Sequence, residues 1–258
     1  MTKRLRISNK FPRPLRERVR ERGKNTFTLA EVLITLAIIG VVAAMTIPTL
    51  TANYKKKVVE TRLAKFYSMM NEAVRLSEID HGNRSTWDVS KDAVDFYNTY
   101  FASYLKTAKI DDTDPQKILI NTIDGTQMIF YNNGDPNIMH ISYCPFGDCE
   151  NTASGTTNFA FAFYPSNDIE KTGDYFCTTP YWGKAGIEPL IFIGTNKEYD
   201  SEKECYTVLV TPKNYKELKE IMESTAYPYG CHENGGIWCT ALIQMNNWKI
   251  PKDYPVKF

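Results

Sequence analysis

Six cysteines, three histidines and a few clustered carboxylates are the residues here with reactive chemistry to offer. Cys144, Cys149, Cys177, Cys205, Cys231 and Cys239 are even in number. In an oxidising compartment they close up to three disulfides, with about 15 pairings open. The spacings C-x4-C and C-x7-C lack the paired C-x2-C knuckles of a zinc site, and only His140 and His232 lie near them. Cys231-His232-Glu233 sets a thiol, an imidazole and a carboxylate side by side. Sequence neighbours rarely converge as a triad, and a disulfide is the commoner use of such a cysteine. Asp111, Asp112 and Asp114, and again Asp148, Glu150 and Asn151, are oxygen donors of the kind Ca²⁺ takes, without the fixed glycine and terminal glutamate of an EF-hand. Solvated turn carboxylates are the simpler reading of both groups. There is no G-x-S-x-G, no H-E-x-x-H and no phosphate-cradling glycine loop. Enzyme chemistry is therefore not expected, nor any cofactor beyond a weakly supported Ca²⁺.

One further carboxylate stands apart. Glu31 is the only charge in residues 27–50, FTLAEVLITLAIIGVVAAMTIPTL. A helix of that length, at about 1.5 Å per residue, spans ~36 Å, enough for a bilayer core of about 30 Å. An ionised carboxylate in such a run is costly, so it implies a functional partner. The bland alternative is a side chain reaching back to the interface. The charge balance supports a spanning segment. Residues 1–26 hold ten Lys/Arg and two Glu, net +8, and the remaining 232 residues hold 21 Lys/Arg against 28 Asp/Glu, net −7. The positive-inside rule puts the N-terminus in the cytoplasm and the bulk outside. A basic arm beside a hydrophobic span reads as topogenic, so no nucleic-acid partner is expected.

The run Phe27-Thr28-Leu29-Ala30-Glu31-Val32-Leu33 resembles the processing and methylation signature of type IV prepilins and type II secretion pseudopilins. The resemblance covers residues 22–61, with Gly40 mid-span and Pro48 where the family carries a helix-bending proline. It implies cleavage between Thr26 and Phe27 by a prepilin peptidase, N-methylation of Phe27, and docking of Glu31 against a neighbouring subunit's N-terminus. The residue before the cut is Thr26, where the family prefers Gly or Ala, and the nearest glycine is Gly23. A rival site exists at Val42-Ala43-Ala44, where an ordinary signal peptidase would release a soluble chain starting at Met45.

The elements follow from periodicity. Beyond Pro48, Val59, Leu63, Phe66, Met70, Ala73 and Ser77 form one helical stripe, and Gly82 is a stop signal. One bent helix over 27–79 is expected, kinked near Ala44. A second helix over 87–106, capped by Ser85 or Thr86, would bury Val94, Tyr97, Phe101 and Leu105, and the Asp-rich 111–115 would break it. Strands are expected at 117–123 and 126–131 around a type I′ turn at Asp124-Gly125. Further strands are expected at 138–143, 159–164, 190–193 and 205–210, a short helix at 215–224, and a strand at 237–245. Tyr175, Phe176, Tyr181, Trp182, Trp238 and Trp248 serve either a core or a contact surface.

The expectation is an α+β, pilin-like fold: leader 1–26, assembly helix 27–50 and exported head 51–258. The function expected is that of a structural subunit of a type IV pilus, type II secretion or competence-type filament. Its partners would be the prepilin peptidase, other pilin or pseudopilin subunits, inner-membrane assembly machinery and the lipid bilayer. It would sit in a bacterial inner membrane and then in a periplasmic or extracellular filament. The competing expectation is a membrane-anchored or filament-tip binding module.

Overall fold

Between Leu29 and His81 the sequence offers one glycine, Gly40, and one proline, Pro48, and is otherwise free of helix breakers. A computed structural model describes residues 28–258 except 133–134, 136, 151, 167–175, 178–180, 210–211 and 225–226. Helix α1 spans Leu29–His81, with Pro48 inside it. The chain divides into two compact units, Met1–Pro48 and Thr49–Phe258. The first contributes the apolar start of α1, and the second is the head.

The end of α1 is built by a left-handed glycine. Gly82 has φ 77°, and its N–H donates to the Glu78 carbonyl at 3.1 Å. A residue without a Cβ takes that conformation without strain. The Glu78 carboxylate then accepts from Arg84 Nη2 at 2.6 Å and Nε at 2.9 Å, fixing the exit of the chain.

The head is an antiparallel meander. Strands β1 Thr107–Asp114, β2 Lys117–Thr122, β3 Gln127–Tyr131, β4 Met139–Cys144, β5 Phe159–Tyr164 and β6 Gly186–Pro189 lie side by side in sequence order. A separate hairpin pairs β7 Lys197–Asp200 with β8 Cys205–Val208. Helices α2 Ala93–Tyr100, α3 Tyr215–Glu223 and α4 Cys239–Met245 complete the fold.

Strand alternation sorts the sheet into two faces. The α1 stripe Val59, Leu63, Phe66, Met70 and Ala73 is buried against one of them, with Ile120, Phe130, Ile141, Tyr143 and Phe161 in the same cluster. Phe66 stacks on Tyr143 at 4.1 Å between centroids. In β5, FAFAFY, the phenylalanines join that cluster, while Ala160, Ala162 and Tyr164 join a second one with Ile138, Tyr181 and Leu190. The sheet is thus covered on both sides, as the continuous burial of β5 requires.

Both edges of the sheet are protected against further pairing. β1 is exposed along almost its whole length and carries Asp111, Asp112 and Asp114. β6 is four residues long and ends at Pro189. Its free side is met by Asn71 of α1, whose Nδ2 donates to the Ile187 carbonyl at 2.9 Å and whose Oδ1 accepts the Ile187 N–H at 3.0 Å. One side-chain amide stands in for a missing strand.

Several expectations are corrected. The Asp-rich segment 111–114 is strand rather than breaker, because an edge strand needs only one ladder and no core face. The second helix is shorter: Trp87 lies in extended backbone after a 3-10 turn, Arg84–Thr86, capped by Asn83, and the N-cap position of α2 is Asp92 rather than Ser85 or Thr86. Tyr97, Phe101 and Leu105 are buried as expected, whereas Val94 is only partly so. The Asp124-Gly125 turn is not type I′, since only Gly125 has positive φ, at 77°. Gly125 N–H instead donates to the Thr122 carbonyl at 3.2 Å, a longer loop with one left-handed residue. The strand expected at 190–193 sits four residues earlier as β6, and that expected at 237–245 is helix α4.

Candidate functional site

The N-terminal unit is apolar on every side of its helix. Leu33, Ile34, Leu36, Ile38, Ile39 and Val41 are all exposed, and none of the most hydropathic window of α1 is buried. Among the described residues nothing covers this apolar surface, the kind of face that lipid or other helices cover. By length and composition it is able to cross a membrane. Beyond its own helix backbone, no heavy atom of the described residues lies within 4 Å of where a Gly40 Cβ would be.

Glu31 begins this helix in a reciprocal cap. Its Oε2 accepts the Thr28 N–H at 2.9 Å, and its own N–H donates to Thr28 Oγ1 at 3.2 Å. That is the capping box of Ser/Thr followed three residues later by Glu/Gln. Among the described residues it has no cationic partner. The cap is a local use of Glu31 that the sequence reading did not weigh, though T-x-x-E was there to be read. It satisfies the Thr28 N–H. Thr26, Phe27 and the leader 1–26 lie outside the described residues.

The cysteines are all paired: Cys144–Cys149, Cys177–Cys205 and Cys231–Cys239, with Cα–Cα distances of 5.5, 5.3 and 4.7 Å. Cys231 is therefore no nucleophile, and the His232 ring contacts the Tyr227 carbonyl at 3.0 Å. The Asp111 carboxylate accepts from Thr113 N–H at 3.3 Å and Oγ1 at 2.9 Å. Asp114 and Asp148 each accept a backbone N–H two residues on, from Gln116 and Glu150. Asn151 lies outside the described residues. Among the described residues no three His, Cys, Asp or Glu side chains group as a metal site would need.

Two turns at one end of the sheet are held by α1. Lys65 Nζ pairs with Asp124 Oδ2 at 2.5 Å, and Arg62 donates to the Pro145 carbonyl. Partial burial works to raise the Asp124 pKa, but hydrogen bonds from Lys65, Thr122 and Thr126 hold it well below the usual carboxylate range. Of the aromatic residues singled out, Tyr181 and Trp238 are buried, Phe176, Trp182 and Trp248 are half-buried, and Tyr175 lies outside the described residues. His140 is buried, with its ring stacked on Tyr131 at 5.1 Å. Burial lowers its pKa, against the charge of Asp135.

Among proteins of known sequence family, the head finds its match. The profile of a family of unknown function (DUF6613) matches residues 49–258. No curated protein and no solved structure matches the chain.

Proposed function

We infer that this chain, which belongs to the DUF6613 family, is a prepilin-like structural subunit of an exported filament. The observation that carries the reading is the segment 27–33, FTLAEVL, at the head of an apolar helix that none of the described residues covers. Support also comes from Glu31, the one ionisable residue between Thr28 and Tyr54, and from three disulfides in the head, which fit an oxidising compartment.

In this reading the leader inserts the chain with its N-terminus cytoplasmic. A prepilin peptidase cuts before Phe27 and methylates the new amine. The freed amine is then a cation four residues from Glu31. Pairing it with a neighbour's Glu31 compensates both charges in a low-dielectric bundle and fixes the axial stagger of the helices. Gly40 lets backbones approach closely. The head, held to its sheet by the Val59–Ser77 stripe, faces outward and gives the filament its surface.

The decisive measurement is the N-terminus of the membrane-extracted chain, by mass spectrometry of its first peptide. A methylated Phe27 is expected. A start at Met45 would make the chain a secreted soluble protein and end the filament reading, and an intact Met1 would make it a signal-anchored head. Glu31→Gln then separates the two uses of the glutamate. Glutamine keeps the capping box but loses the charge, so incorporation into filaments should fail while Thr28→Ala, which keeps the charge, still assembles.

A further inference from the structure

Where the apolar run of α1 ends, charge begins. Tyr54, 69% exposed, is followed by Lys55, Lys56 and Lys57, and the Lys57 side chain is 70% exposed. Lys55 comes five residues after Leu50 on α1, which at about 1.5 Å per residue is ~7.5 Å along the helix. Two other stretches of chain meet α1 here. The loop after β4 brings Phe146, and the tail brings Lys257 and Phe258. A cavity of about 430 Å³ has Lys55, Phe146, Lys257 and Phe258 in its walls. A second, of about 370 Å³, shares Phe146 and adds Tyr54, Lys57 and Arg62. Lys56 Nζ stands 5.9 Å from the centre of the Phe258 ring.

Phe146 is held out rather than left loose. Its loop is closed by the Cys144–Cys149 bridge, Arg62 donates to the Pro145 carbonyl, and the Gly147 N–H donates to the Cys144 carbonyl at 3.1 Å. Under those constraints the ring is still 38% exposed. A ring fixed in place loses little freedom when something covers it. The charge around it is out of keeping with the rest of the head. Residues 49–258 hold 21 Lys/Arg against 27 Asp/Glu, net −6. Against that background four lysines, Lys55, Lys56, Lys57 and Lys257, gather at one place. Among the described residues lining the two cavities, Asp148 is the one carboxylate side chain. Glu60, next to them on α1, is already shared between Lys57 at 3.8 Å and Lys249 at 3.3 Å.

The surface thus offers cations and rings together, directly after an apolar run. An acidic protein or a nucleic acid would meet the lysines, but neither accounts for the apolar residues that precede them. A bilayer with anionic lipids accounts for both, with phosphates above and acyl chains beneath, and tyrosine beside lysine suits that boundary. The distance agrees. The polar layer on each side of a bilayer core is about 5–8 Å deep, and Lys55 follows Leu50 by ~7.5 Å of helix. We propose that the face formed by Tyr54, Lys55, Lys57, Phe146 and Lys257 docks on the anionic headgroups of the membrane that residues 29–50 enter. The inference rests on insertion of that segment, which the filament reading shares with its signal-anchored rival, and on neither cleavage nor assembly.

The test reconstitutes the full chain into lipid nanodiscs of phosphatidylcholine alone, or with a third of it replaced by phosphatidylglycerol. Each lysine is then read by mass spectrometry after brief reaction with a water-soluble acetylating reagent. Lys55, Lys57 and Lys257 should react about three- to tenfold more slowly in the anionic discs. Salt at about 1 M, where screening acts within about 3 Å, should remove the difference. Lys216 and Lys219 of α3, outside the face, should react alike in both discs. Lys55→Glu with Lys57→Glu reverses the charge at two exposed helix positions without touching the core. It should cancel the slowing at Lys257 and leave the thermal melt in place. Equal reactivity in the two lipids would overturn the proposal, and so would slowing that survives high salt. Slowing already present in neutral discs and rising with protein concentration would overturn it too, since a second copy of the chain would then be the cover. A chain that does not stay with the discs would end the insertion reading and this inference together, whereas a retained chain with equal reactivity ends this inference alone.

Discussion

The same substitution at two places on one helix separates the roles of its two halves. Leu63 is 0% exposed within the core cluster, and Leu36 is 59% exposed. Changing Leu63 to Ala removes three carbons from a packed site. At about 0.8 kcal/mol per buried CH₂ the transfer loss is ~2.4 kcal/mol. The unfilled cavity raises the cost to about 2.7–5 kcal/mol. For a domain the size of the head each kcal/mol is worth about 2–4 °C, so the melt should fall by about 5–20 °C. Leu36→Ala exposes nothing inside the chain, and the head should melt within about 0.5 kcal/mol of wild type. On the proposed membrane-inserted reading, the loss there is in lipid affinity, read as easier extraction from membranes. Near-UV circular dichroism of the detergent-solubilised chain reports on the head, because Phe66 of the stripe packs against Tyr143 and Phe161. Equal shifts for the two variants, or a Leu63→Ala cost under about 1 kcal/mol, would refute the division of α1 into a packed and an uncovered half.

Four other outcomes are expected. Asn71→Leu removes both bonds to Ile187 on the β6 edge and should cost about 1–3 kcal/mol, measured by urea denaturation; an unchanged midpoint would mean the edge needs no cover. Asp124 has a lowered folded pKa, so its contribution is present above the unfolded value of about 3.9 and lost as pH falls toward the folded one. Both partners are partly exposed, so the pair is worth at most about 1 kcal/mol, and Asp124→Asn should flatten the melting temperature below pH 4; an unaltered acid slope would count against it. Gly147→Ala should destabilise more than Gly125→Ala in parallel melts. Both glycines have positive φ, but only at Gly147 would a Cβ strike backbone, the Gly125 carbonyl oxygen at 2.5 Å. Replacing Cys177 and Cys205 by Ser opens a loop with sequence separation 28 and should cost about 3–4 kcal/mol, with a lower denaturation midpoint as readout.

The parts of the fold legible in the sequence are those where one period holds over a long run. The stripe from Val59 to Ser77 is buried at every position it marks, and β5 falls at 159–164 as its aromatic run requires. Where one face gives no signal, the reading failed. In α4 all residues from Cys239 to Ile243 are buried, so no apolar period stands out, and Ile, Trp, Cys and Thr favour strand locally. The helix is set by its surroundings and by the Cys231–Cys239 bridge. β1 was obscured for the opposite reason, being exposed and acid-rich. The candidate assembly segment was legible because it is local: Leu29 to Pro48 is one contiguous stretch of α1. The pocket lined by His140, Phe192 and Tyr229 was not, because the tertiary fold alone brings these residues to one cavity and nothing in their spacing links them.

The disulfides join cysteines in order of appearance: first to second, third to fourth, fifth to sixth. For a chain delivered N-terminal end first to an oxidising space, each odd cysteine has its native partner as the next to arrive. Of the roughly 15 pairings open to six cysteines, this is the one that sequential oxidation makes unaided. The sheet is laid down in the same order, each strand pairing with the one just before it. On the proposed export route, maturation of the head would call for an oxidant and not for a reshuffling catalyst.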